Sequence, residues 1–206
     1  MKKVTRDEKT ELQGKRGHKG AYLSFSVLSV WRMRIPWLLV LMISATVSGV
    51  ILNRFEASFP SILLIFVPML MDTGGNSGAQ ASATVIRALS LSEVEFEQLP
   101  EILWKECRIG FLCGITLGAV AYLKVILIDG VLMQTSYVTP RVALCVAISV
   151  SLTVTMAKLI GALLPIFAKR IGLDPAAAAS PIITTVVDIA ALLTYFLVSA
   201  ALISPV

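Results

Sequence analysis

An uninterrupted apolar run constrains the fold of this chain more than any other feature. Residues 35–53 contain no charged side chain and are bounded by Arg34 and Arg54. An α-helix of this length crosses about 30 Å of bilayer hydrocarbon. The chain is also 56% hydrophobic and only 15% charged, which is a higher apolar share than soluble domains have. The sequence therefore predicts an integral membrane protein without a large soluble domain.

Four more apolar runs follow, so we expect an all-α integral membrane protein with five transmembrane helices per protomer. The expected spans cover approximately residues 35–53, 59–91, 109–128, 140–168 and 175–203. Lys and Arg in short loops stay on the cytoplasmic side of a membrane. They are concentrated before the first span and at Lys169 and Arg170, between the fourth span and the fifth. This asymmetry predicts an N-inside, C-outside arrangement.

Two parts are expected before the first span. Residues 1–20 are basic and polar, and such a segment cannot bury enough apolar surface to fold alone, so it predicts a disordered cytoplasmic tail. Residues 21–206 then form one transmembrane domain. Its beginning, from Tyr22 to Arg34, mixes apolar residues with serines. This pattern is typical either of a helix lying at the membrane interface or of an extension of the first span.

The segment from Ser92 to Arg108 separates the second span from the third and carries five glutamates. We expect a cytoplasmic loop, in which the acidic residues are either simply solvated or attract cations locally. The cysteines are odd in number and have neither disulfide nor zinc-ligand spacing, so we interpret them as packing residues. They are Cys107, Cys113 and Cys145.

Ionisable side chains inside the spans indicate function, because each costs roughly 2.5–3.5 kcal/mol to insert. They are Asp72 and Arg87 in span two, Lys158 in span four and Asp188 in span five. On a helix, Asp188 shares one face with Thr184 and Ser180, which precede it at intervals of four residues. This polar stripe indicates a cation ligand or proton carrier in a water-filled path. The alternative is a structural ion pair with Lys158, which is also a candidate partner of Asp72 when no ion is bound.

A glycine-rich segment in span two is the second indication of function. Paired glycines weaken a helix and allow another backbone or a hydrated ion to come close. The segment offers carbonyl oxygens and an amide without aromatic bulk, at Gly74, Gly75, Asn76, Ser77, Gly78 and Gln80. Such segments commonly line substrate paths. Gly74 and Gly78 also have the G-x-x-x-G spacing of tightly packed helices, and spacing alone leaves both interpretations open.

Three motifs occur in the order and spacing of a known family. They are PMLMDTGGNSGAQASATVIRALSLSE at 68–93, GALLPIFAKRIGLDP at 161–175 and SPIITTVVDIAALLTYF at 180–196. In these motifs the chain resembles the transmembrane domain of MgtE-type magnesium channels and transporters, and of their eukaryotic solute-carrier relatives. The resemblance covers approximately residues 22–203.

The resemblance implies a homodimer of five-helix protomers in the cell membrane, with an ion path at the dimer axis lined by spans two and five. Mg²⁺ is then the transported substrate, with no organic cofactor and no nucleic acid partner. Asp188 matches the family's pore aspartate, so two carboxylates would face one hydrated ion across the axis. The other implied metal-site positions are Asn76, Thr184, Ser180 and, with less weight, Asp72. The implied path-lining positions are Gly74, Gly75, Ser77, Gln80 and Thr185.

One departure from the family concerns regulation. Typical bacterial members carry a long cytoplasmic sensing region before the first span, whereas this chain has about 30 residues there. The sensing gate is therefore absent, or resides on a separate regulatory chain, or has been removed. A passive channel and a Na⁺- or H⁺-coupled exchanger both stay open as mechanisms.

Other function classes fit the sequence less well. A Ser–His hydrolase needs a histidine, and His18, the only one, lies in the tail. Asp72 and Asp188 are candidates for an intramembrane aspartyl dyad, but Val187 and Ile189 flank Asp188 where a glycine is expected. A purely structural membrane protein leaves Asp188 and the glycine-rich segment unexplained. We therefore expect a transport protein and not an enzyme.

Overall fold

The computed structural model describes the backbone of residues 26–135, 138–172 and 175–203. Side chains are described for the same ranges, apart from Met33, Trp37 and residues 175–181. The predicted tail at residues 1–20 lies outside these ranges, as does the side chain of Ser180.

Five long α-helices make up most of the described chain. They are α1 (Val27–Glu56), α2 (Val67–Ser90), α3 (Leu99–Lys124), α4 (Pro140–Arg170) and α5 (Pro175–Leu202). Short 3₁₀-helices at Ser61–Phe66 and Phe96–Gln98 precede α2 and α3, and a π-helix at Val125–Leu132 continues α3. Five helical stretches are long and apolar enough to cross a membrane, and the described residues contain no β-strand. The predicted all-α fold with five spans is confirmed, whereas its N-inside orientation stays a prediction.

The third span differs most from its prediction, because it covers Phe96–Leu132 and not residues 109–128. Charged residues made its beginning look like a loop, but α3 already starts at Leu99, with Pro100 in its first turn, where proline is favoured. Glu106, expected in a solvated charge run, is only 7% exposed. It is buried because it lies one helical turn before Gly110, on the buried face of α3.

The chain divides into two units, residues 1–40 and residues 41–206, and α1 begins in the first unit and ends in the second. In the first unit, the described residues are helical from Val27 onward, and Pro36 lies inside the helix. Prolines are tolerated inside transmembrane helices. Within residues 27–34 there is no separate interfacial helix, so this part of the chain extends the first span.

In the second unit, α4 is the central helix and contacts α2, α3 and α5. Small residues let the helices approach closely. On α3, Gly110, Gly114 and Gly118 lie against the backbone of α4, and a Cβ at Gly114 would be 2.5 Å from the Ser151 carbonyl oxygen. The Ser151 hydroxyl donates a hydrogen bond of 2.8 Å to the Gly114 carbonyl oxygen. This α3–α4 seam therefore has no room for side chains at Gly114 and Gly118 and little at Gly110.

Helix α2 also packs closely on α4. It is continuous through Gly74 and Gly75, so the paired glycines do not break it. A Cβ placed at Gly161 of α4 would overlap the Gly78 carbonyl oxygen. Close backbone contact, which small residues allow, therefore joins α4 to both α2 and α3.

An aromatic cluster ties the end of α1 to α5. Phe55 stacks on Phe59 and on Tyr195, with ring centroids 5.0 and 5.3 Å apart, and Phe196 meets both phenylalanines edge-on. The Tyr195 hydroxyl donates a hydrogen bond of 2.9 Å to the Leu63 carbonyl oxygen. The cluster thus satisfies its buried polar atom while it fixes the connection between α1 and α2.

The cysteines have the environment of packing residues. All three are free thiols, and Cys145 is fully buried in α4. Its Sγ lies 3.3 Å from the Ser199 Oγ of α5, at hydrogen-bond distance for sulfur. Cys145 thereby contributes to the contact between α4 and α5.

We expect Gly114→Ala to destabilise the protein by about 1–3 kcal/mol, because the new methyl group forces the α3–α4 seam apart. The matched control is Gly49→Ala, since a Cβ at Gly49 meets no described residue within 4 Å and alanine favours a helix. Thermal unfolding in detergent measures both variants. Equal unfolding temperatures for the two would contradict the close packing of the seam.

Candidate functional site

Helix α2 presents a polar face that is exposed in the protomer. Asp72, Asn76, Gln80 and Arg87 are all exposed, and their spacing places them on one side of the helix. They lie within the stretch Ser61–Ser90, which is long and apolar enough to span a membrane. Lipid hydrocarbon does not solvate an amide or a carboxylate. This α2 polar face therefore needs a polar environment at membrane depth.

The opposite side of α2 packs against α5. A Cβ at Gly74 would lie 3.0 Å from the Val187 Cγ1, and one at Gly78 would lie 3.2 Å from methyl groups of Ile183 and Val187. A Cβ at Gly75, in contrast, meets none of the atoms that the structure describes within 4 Å. The structure thus shows the close helix packing that the G-x-x-x-G spacing of Gly74 and Gly78 indicates. It also brings the glycine-rich segment directly onto the part of α5 that precedes Asp188.

Helix α5 places its polar side chains in partly accessible positions. Asp188, Thr184 and Thr185 are half-buried, whereas Val187 between them is buried. The Thr185 Oγ1 lies 3.0 Å from the Ser44 Oγ of α1. The Ser44 hydroxyl also donates a hydrogen bond of 2.8 Å to the Leu41 carbonyl oxygen of its own helix. The role of Thr184 and Thr185 in an ion path stays a prediction.

The described residues of one protomer offer few side chains that bind metal ions. The described residues contain no group of three or more His, Cys, Asp or Glu side chains that could hold a metal ion. Asp188 offers a single carboxylate, one helical turn after Thr184 on α5. Such a sparse ligand set suits an ion that keeps its water.

Lys158 is buried, with 5% of its surface exposed. Lys158 lies seven residues after Ser151 and three after Thr155, so it shares their face of α4. That face packs against Gly114 and Gly110 of α3. Within residues 26–135, 138–172 and 175–203, neither Lys158 nor Asp188 takes part in an ion pair. Pairing of Lys158 with Asp188 or Asp72 therefore stays a prediction.

One buried charge escaped the sequence analysis altogether. Asp129, in the π-helix, accepts hydrogen bonds of 2.9 and 2.8 Å from the Lys124 ammonium. Only 8% of the Asp129 side chain is exposed, and the same ammonium lies 5.8 Å from the Phe66 ring centroid. A separation of five residues puts two side chains on different faces of an α-helix, but a π-helix brings them together. No periodicity in the sequence signals that change of helix type.

These features define a multi-pass helical membrane protein with carboxylates and amides on helices that are long and apolar enough to span a membrane. Comparison with known proteins gives its family. The MgtE family model, described as a divalent cation transporter, matches residues 67–198. The chain belongs to the MgtE family of divalent cation transporters, as the motifs predicted. This is a family of transporters and not of enzymes, in agreement with the expected function class.

Individual relatives support the same conclusion. The chain is 33% identical over 187 residues to the magnesium transporter MgtE of Thermus thermophilus, covering 90% of this chain and 40% of that protein. It is 33% identical over 172 residues to the magnesium transporter MgtE of Bacillus subtilis, covering 82% and 36%. The corresponding protein of Enterococcus faecalis is 30% identical over 168 residues. The chain thus spans about two fifths of the length of these relatives.

We expect Asp129→Asn to destabilise the protein by about 1–3 kcal/mol, because it leaves the Lys124 ammonium without its counter-charge. The double variant Lys124→Met/Asp129→Leu removes both charges and should recover most of that loss. Thermal unfolding in detergent measures the variants. Additive losses in the double variant would mean that the two side chains do not stabilise each other.

Proposed function

We propose that this chain transports Mg²⁺ across the cell membrane, through a path at the axis of a homodimer, with the hydrated ion held between the Asp188 carboxylates of two protomers. The observation that carries the proposal is the α2 polar face, which lies on the helix packed against the Asp188 segment of α5. Membership of the MgtE family and the magnesium transporters among its relatives support Mg²⁺ as the substrate.

The need for a second copy follows from the bilayer. Asp72, Asn76 and Gln80 are exposed in the protomer, and exposure to hydrocarbon costs several kcal/mol for each unsatisfied polar group. A second copy of the same face, related by a twofold axis, encloses these groups around water. Helix α3 also exposes large apolar side chains, including Phe111 and Leu112, and these are suited to contact with lipid.

The chemistry of the path suits a hydrated divalent cation. Mg²⁺ prefers six oxygen ligands in octahedral geometry and gives up its waters reluctantly. Two Asp188 carboxylates supply a charge that balances the ion, and waters of its shell donate hydrogen bonds to carboxylate, hydroxyl and amide oxygens. The side chains proposed for these contacts are Asp188, Asn76, Thr184, Ser180 and, more weakly, Asp72. A monovalent ion gains less from the paired charge.

Asp188→Ala should lower Mg²⁺ flux into proteoliposomes at least about tenfold, because the path loses its central charge. Asp72→Ala, which removes an exposed carboxylate four residues before Asn76, should have a smaller effect. Both variants must first match the wild type in helicity and in elution from a sizing column. Wild-type flux in Asp188→Ala would refute the site.

A second prediction tests the dimer axis separately from transport. In a variant without native cysteines, Asn76→Cys on the α2 polar face should cross-link to its copy with a short bis-maleimide in vesicles. The matched control is Ile115→Cys on α3, where the native side chain is 51% exposed, and this variant should remain monomeric on a denaturing gel. Equal cross-linking of the two variants would argue against the proposed axis.

Mg²⁺ flux into proteoliposomes that contain the wild-type protein distinguishes a channel from an exchanger. If transport is passive, Mg²⁺ flux depends only on the Mg²⁺ gradient and on membrane potential. If it is coupled, flux changes with an imposed Na⁺ or H⁺ gradient at constant potential.

A further inference from the structure

A cavity of about 330 Å³ lies at one end of the helix bundle, away from Asp188. It is formed where α2 and α4 end and the 3₁₀-helix before α3 begins. Its apolar wall consists of Leu89, Phe96 and Ile166. Since helices that span the membrane start and end here, the cavity lies at the level of the lipid headgroups.

The cavity is preformed by local interactions. The Arg170 guanidinium lies 4.0 Å from the Phe96 ring centroid, and the Lys169 ammonium donates a hydrogen bond of 3.3 Å to the Leu89 carbonyl oxygen. On the opposite rim, the Glu95 and Gln98 side chains form a capping box that fixes the start of the 3₁₀-helix. Each wall of the cavity is thereby held by contacts within the chain.

The charges around this cavity are balanced but unpaired. Glu95 and Glu97 contribute two carboxylates, and Lys169 and Arg170 contribute two cations. In the part of the chain that the structure describes, none of the four takes part in an ion pair. A purely anionic ligand would meet the carboxylates, and a purely cationic ligand would meet Lys169 and Arg170. A ligand with both charges matches all four groups.

We propose that this cavity binds the headgroup of a phospholipid that carries both a phosphate and a primary ammonium, the phosphatidylethanolamine class. Lys169 and Arg170 donate hydrogen bonds to the phosphate oxygens. The ammonium donates to the carboxylates of Glu95 and Glu97. Leu89 and Ile166, which are 6% and 2% exposed, line the side on which the glycerol and the first acyl carbons lie.

Binding of short-chain phospholipids to the purified protein in detergent, measured by native mass spectrometry, tests the proposal. We expect phosphatidylethanolamine to bind about fivefold more tightly than phosphatidylglycerol, which lacks the ammonium, and phosphatidylcholine, whose quaternary ammonium donates no hydrogen bond. Arg170→Gln should weaken binding of phosphatidylethanolamine about fivefold. Glu97→Gln should remove the preference over phosphatidylglycerol. Both changed residues are exposed, so the fold tolerates the substitutions.

The matched control is Arg108→Gln. Arg108 is also exposed and also lies over an aromatic ring, 5.7 Å from the Trp104 centroid, but it is not part of this cavity. Wild-type binding in the control supports the proposal, and equal weakening in Arg108→Gln and Arg170→Gln overturns it. Equal binding of the three lipids overturns it as well. Soluble phosphoethanolamine that binds as tightly as the lipid would overturn the assignment to a lipid.

Discussion

The close contact of α4 with its neighbours through small residues is the interaction on which the rest of the fold depends. Without a difference in polarity between lipid and apolar side chains, helices in a bilayer associate through packing and hydrogen bonds. Here Gly114 and Gly118 of α3 and Gly78 of α2 meet α4 at backbone distance, and the Ser151 hydroxyl bridges to α3. Helix α4 thereby becomes the buried centre around which α2, α3 and α5 are arranged.

That arrangement separates structural charges from those proposed for transport. Lys158 and Glu106 are buried on the faces where α4 and α3 meet, and Asp129 is neutralised by Lys124 within one turn of π-helix. Among the described residues, Lys158, Glu106, Asp188 and Asp72 all lack an ion-pair partner, but Asp188 is half-buried and Asp72 is exposed. Since charge at membrane depth is costly and water reaches only accessible groups, these two aspartates are the ones that we propose an ion and its water stabilise.

The sequence predicted the spans well where charge is absent and poorly where charge enters a helix. An uncharged run such as residues 35–53 can adopt few structures in a bilayer other than a transmembrane helix, so the sequence predicts the first span correctly. The start of α3 was missed because Glu101, Lys105 and Glu106 resemble a loop, although Glu106 is buried by tertiary packing. The Lys124–Asp129 pair was missed because it depends on a local π-helix, which leaves no periodic pattern.

Close helix packing and the lining of an ion path, the two interpretations of the glycine-rich segment, are compatible. Gly74 and Gly78 favour one rotation of α2, because a Cβ at either position would lie 2.8–3.2 Å from side-chain methyl groups of Thr153, Ile183 and Val187. Among the described residues, the buried Thr153 hydroxyl has no hydrogen-bond partner, which costs stability at this contact. A helix held with these glycines inward presents Asp72 and Asn76 outward. Tight packing on one side of α2 therefore positions the polar face on the other.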